Sequence, residues 1–94
     1  MAEADGLSRV LPIINTKGLH ARASAKFVQC AAKFDAQVIV RKDGSSVSGT
    51  SIMGLMMLGA GIGSEIHIAA TGAQAQEALD ALQALVANKF GEDS

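Results

Sequence analysis

Apolar and polar positions alternate with a period of two in four stretches of the chain, and between them apolar residues recur every three or four positions. Leu7 to Ile14 reads as a strand, with Leu11 and Ile13 on one side and Val10, Pro12 and Ile14 on the other. Pro12 cannot donate to a ladder on both flanks, so this strand belongs at a sheet edge. From Ala21 to Phe34 the spacing becomes helical, with Phe27, Cys30, Ala31 and Phe34 on one face and Lys26, Gln29 and Lys33 on the wet side. Gln37-Val38-Ile39-Val40-Arg41 alternates again, Asp43-Gly44-Ser45 supplies turn residues, and Ser46-Val47-Ser48 returns as the second arm of a hairpin.

Gly49-Thr50-Ser51 then offers a hydroxyl cap before Ile52 to Leu58, a short helix stopped by the glycines between Gly59 and Gly63. Glu65 to Thr71 is the fourth strand, with Ile66 and Ile68 inward and His67 outward, and Gly72 breaks it. Ala75, Ala78, Leu79, Leu82, Leu85 and Val86 mark a final amphipathic helix of about four turns, followed by Lys89-Phe90-Gly91 and a charged tail. The predicted order is β-α-β-β-α-β-α, an α+β open-faced sandwich with three helices on one face of the sheet. The other face, with Gln37, Ile39, Arg41 and His67, is left to water.

Composition narrows the class. A chain of 94 residues makes one domain, with residues 1–6 and 91–94 expected to fray. Aromatics are scarce, so the core is built from Ala, Val, Ile, Leu and Met. Eight basic and nine acidic side chains come close to cancelling. No block of like charge points to nucleic acid or a membrane surface. The N-terminus lacks the basic and apolar regions of a signal peptide, and the apolar run from Ile52 to Ile62 is too short to span a bilayer. The lone Cys30 has no internal disulfide partner, sits on the apolar stripe as a small core residue, and has no metal-ligand neighbours at suitable spacing. A cytoplasmic monomer is expected, with no metal and no cofactor.

Enzyme templates are missing: there is no phosphate loop followed by Lys-Ser or Lys-Thr, no Ser-His-Asp motif and no apolar carboxylate pair. The stretch Lys17-Gly18-Leu19-His20-Ala21-Arg22-Ala23-Ser24 is different, since it puts a histidine where a strand stops and a helix starts. Unpaired N–H groups and the helix dipole make such a junction an anion site, and a histidine facing it is a nucleophile. Arg22 adds charge that would hold a dianionic phosphoryl group, and Ala21 and Ala23 leave room for it. His67, mid-strand with no helix end beside it, has no such setting.

Gly18-Leu19-His20-Ala21-Arg22-Ala23-Ser24, followed by Ser51-Ile52-Met53-Gly54-Leu55-Met56, resembles HPr, the histidine-containing phosphocarrier family of the bacterial phosphoenolpyruvate-dependent phosphotransferase system. The resemblance runs from about Leu7 to Phe90. It implies a four-stranded antiparallel sheet of order 1-4-2-3. It also implies phosphorylation of His20 on Nδ1 by enzyme I, with onward transfer to IIA proteins; Arg22 and the backbone N–H groups of Ala21 and Arg22 would hold the phosphoryl oxygens. Ser51 matches the serine modified by HPr kinase/phosphorylase in lineages that have that enzyme, and Ile52, Met53 and Met56 match a partner-docking patch. Where the family pattern has proline after the arginine, this chain has Ala23; alanine keeps the helix but gives up some rigidity in its first turn. On this reading the chain is a co-substrate of phosphotransferases and not a stand-alone enzyme. The alternative is a regulatory binding module on the same fold, phosphorylated as a switch and acting by docking.

Overall fold

A computed structural model of the protein describes residues 6–94. In chain order the elements are β1 (Gly6–Pro12), α1 (Ala21–Ala31), β2 (Gln37–Lys42), β3 (Ser45–Ser48), α2 (Ile52–Met57), β4 (Glu65–Thr71) and α3 (Ala75–Ala87), with a 3-10 turn at Lys89–Gly91. The four strands form one antiparallel sheet in the order β1-β4-β2-β3. The fold class and strand order expected from the sequence are both found, and β1 lies at an edge, as Pro12 required.

Alternation decides the register. Leu11 faces in while Val10 faces out, and on β4 Ile66 and Ile68 are fully buried while His67 is exposed. Arg9 pairs with Ile68 and Gly6 with Thr71, so Gly6 belongs to the sheet and not to a frayed start. Met1 to Asp5, also expected to fray, lie outside the described residues. The β2–β3 hairpin closes through a two-residue turn, one shorter than the sequence reading. Asp43 and Gly44 both have positive φ, 51° and 84°, which matches the twist of the flanking strands.

The core lies between the sheet and the helices, centred on Phe27, Leu55, Ile66, Ile68, Leu79, Leu82 and Phe90. Helix α1 ends at Ala31, one turn short of the expected Phe34. The reason is tertiary: the Asp35 N–H donates to Gln74 Oε1 and the Gln74 N–H to Asp35 O, so the chain turns to meet the loop before α3. Phe34 still packs against the core from outside the helix. Cys30 is only partly buried against that core, and burial raises the pKa of its thiol against the opposing charge of Lys33.

Candidate functional site

The loop between β1 and α1 is fixed at Asn15, Gly18 and Leu19. The Gly18 N–H donates to Asn15 O and the Leu19 N–H to Ala60 O. Asn15, fully buried, donates from Nδ2 to Gly18 O at 2.9 Å, and the buried Ser24 hydroxyl donates to Leu19 O. Gly18 has φ +65°, and a Cβ there would lie 2.3 Å from Ala60 O. Gly18→Ala therefore meets both left-handed strain and a backbone clash. It should cost about 2–4 kcal/mol and lower the thermal midpoint by roughly 10 °C or more, a shift that calorimetry would measure.

This loop delivers His20 to the N-cap of α1 with extended backbone, φ −73° and ψ −178°. The first intrahelical bond runs from the Ser24 N–H to His20 O, so the amides of Ala21, Arg22 and Ala23 have no partner within the helix. The His20 ring makes no capping bond to them. Thr16, Lys17, His20 and Arg22 line a cavity of about 190 Å³, closed on its other side by Glu92, Asp93 and Ser94. Two cations and an imidazole at a helix N-terminus thus share one small space, a fit for an anion of phosphate size on that side, while the carboxylates of Glu92 and Asp93 face it from the other.

The ring is partly covered, with 27 % of its side-chain surface accessible. Its Nε2 lies 2.5 Å from Glu92 Oε2, and Glu92 Oε1 accepts from Asn15 Nδ2 at 3.0 Å. The tail expected to fray from residue 91 is tied down through Glu92. The bond from His20, then that from Asn15, and the nearby charge of Lys17 hold the Glu92 carboxyl below the ordinary carboxylate range. A depressed folded-state pKa stabilises the attached tail above the ordinary carboxylate value, and this contribution is lost as pH falls through the depressed one.

Helix α2 stands beside this loop, joined to it by the bond to Ala60. Ser51 is its N-cap, with Oγ accepting from the Gly54 N–H at 2.9 Å. The helix divides as the family resemblance implied. Leu55 and Leu58 are buried, whereas Ile52, Met53 and Met56 are 41 %, 70 % and 41 % exposed. Met57 and Ile62 are strongly exposed as well.

Residues 7–88 match the family described as "PTS HPr component phosphorylation site". The chain belongs to the HPr family. It is 55 % identical over 86 residues to the phosphocarrier protein HPr of Cupriavidus necator, covering 92 % of this chain and 97 % of that one. A crystal structure of HPr from Thermoanaerobacter tengcongensis superposes with a TM-score of 0.89 at 43 % identity, over 94 % of this chain and 99 % of that one. An HPr dimer from the same organism matches with a TM-score of 0.74 at 46 % identity, over 87 % and 94 % of the two chains. Among the described residues no helix is long and apolar enough to cross a membrane.

Within this HPr-family chain the structure brings His20, Arg22 and the amides of Ala21 and Arg22 to one place, with the Ser51 helix packed alongside α1. His67 is elsewhere, on the solvent face of the sheet. Sequence reasoning missed Asn15 and Glu92. A lone phenylalanine in a polar tail, Phe90, was the available signal that the C-terminus returns to the body; nothing in the sequence singled out Glu92.

Proposed function

We propose that the chain is a phosphoryl carrier of the phosphotransferase system, accepting the group from enzyme I on Nδ1 of His20 and passing it to IIA proteins in the cytoplasm. The observation that carries this reading is the placement of His20 at the first turn of α1, in one cavity with Lys17, Arg22 and unpartnered amides. Phosphoryl transfer asks mainly for positioning and charge stabilisation. The lone pair of Nδ1 attacks phosphorus as the donor's bond to it breaks, and the amides of Ala21 and Arg22, with the Arg22 guanidinium, hold the equatorial oxygens. The Glu92 and Asp93 carboxylates across the cavity repel a bound phosphoryl group, so retention is modest and the partner supplies the rest of each active site. Family membership supports the same reading. Mass spectrometry after incubation with enzyme I and phosphoenolpyruvate should find acid-labile, base-stable phosphate on the His20 peptide; its absence there would sink the reading.

The exposed side chains of Ile52, Met53 and Met56 serve as the docking surface, since flexible thioethers adapt to several partners. Ser51 is the control point, read by an HPr kinase/phosphorylase where one exists. As a cap it contributes about 1 kcal/mol, and a carboxylate or phosphate in its place is stabilised by the helix end. Charge at that position falls beside the apolar docking surface. Ser51→Asp should therefore slow transfer from enzyme I while the protein melts at the same temperature or higher, and an unchanged transfer rate would count against the switch.

A further inference from the structure

The contact between His20 and the C-terminal tail does more than anchor the tail. His20 Nε2 lies 2.5 Å from Glu92 Oε2, and Glu92 Oε1 takes the second bond of Asn15, whose other partner is Gly18 O. Asn15 is fully buried, so the carboxylate rests on the same side chain that shapes the loop before His20. From the other direction Phe90, fully buried, and the bond from Lys26 Nζ to Phe90 O at 2.7 Å fix the chain two residues before Glu92. An ionised carboxylate has only lone pairs, so Nε2 must be the donor. A neutral imidazole has one N–H, and its lone pair is then left on Nδ1, the nitrogen that makes no capping bond.

We infer that Glu92 is a positioning residue for transfer, holding His20 as the Nε2–H tautomer with Nδ1 free to take the phosphoryl group. This role rests on the carrier reading. Turning the ring over would break the bond to Glu92, so the carboxylate fixes orientation as well as tautomer. The proton stays on Nε2 throughout. On acceptance the Nδ1–phosphorus bond forms as the donor's bond breaks, and the ring becomes cationic beside the carboxylate. On onward transfer the Nδ1–phosphorus bond breaks, its electron pair returns to Nδ1, and the neutral Nε2–H ring is restored without moving a proton.

The test compares wild type, Glu92→Gln and Glu92→Ala, each labelled with 15N in the histidine rings. Ring 15N–1H correlation should show wild-type His20 protonated on Nε2, Glu92→Gln keeping that tautomer through its amide oxygen, and Glu92→Ala drifting toward a mixture. The rate of phosphorylation by enzyme I should fall about tenfold in Glu92→Ala and less in Glu92→Gln, with melting temperatures matched to confirm an intact fold. Wild-type ring shifts in Glu92→Ala, or a wild-type rate despite altered shifts, would overturn the role while leaving the carrier reading in place. A wild-type chain that takes no phosphate on His20 would overturn both.

Discussion

His20→Ala is expected to abolish acid-labile phosphorylation by enzyme I, while His67→Ala takes up phosphate at the wild-type rate. Both histidines are imidazoles on one small domain, so the comparison isolates setting from chemistry. His20 has unpartnered amides, Arg22 and Lys17 about it. His67 lies mid-strand opposite Val10 and Arg41, with no helix end to receive an anion. Stopped-flow or gel-shift measurement of phosphate uptake distinguishes them. Normal uptake by His20→Ala, or its loss in His67→Ala, would move the site to the other face of the sheet. His67→Ala should matter little to stability, because that side chain is exposed, whereas His20→Ala gives up the bond that ties down Glu92 and loosens the tail without opening the core.

Phe90→Ala is expected to be the most destabilising single change in the tail, at about 3–5 kcal/mol, a large share of what a domain this size has to lose. Phe90 has no accessible surface, yet its backbone and that of Lys89 sit at φ +56°, where non-glycine residues are strained. Burial of the ring offsets that strain and bends the chain so that Glu92 reaches His20. With the ring gone, the left-handed turn is held only by polar contacts, among them the bond from Lys26 Nζ to Phe90 O and those of Glu92 to Asn15 and His20. Chemical denaturation should show the loss, and ring 15N shifts of His20 should move even where the remaining fold persists. Retention of both stability and ring shifts would mean that the tail is held by other contacts.

How much of this was legible beforehand follows from which forces are local. Strand β4 is read to the residue because Ile66 and Ile68 alternate strictly with Glu65 and His67. The exposed face of α2, with Ile52, Met53 and Met56, came from the family resemblance, since six residues are too few for periodicity to separate two faces. Pro12 named an edge strand, but alternation does not say which strand becomes its neighbour, and the 1-4-2-3 order came from the family resemblance. The ends of elements were set by distant partners. Ile13 bonds to Ser64 and Gly63 just past the end of β1, and Asp35 bonds to Gln74 just past α1. In the site, His20 and Arg22 were visible because a helix start is a local event. Asn15 and Glu92, 77 positions apart, meet only through the tertiary fold.

The bond from the Leu19 N–H to Ala60 O and the close approach of Gly18 to the same carbonyl have a mechanical meaning. They tie the loop bearing His20 directly to the loop that follows α2. The apolar helix face and the imidazole therefore behave as a gauge of fixed offset. On the carrier reading, a protein that seats itself on the methionines must carry its own reactive atom at that same offset, whatever its fold, so unrelated partners would be driven toward one shared footprint.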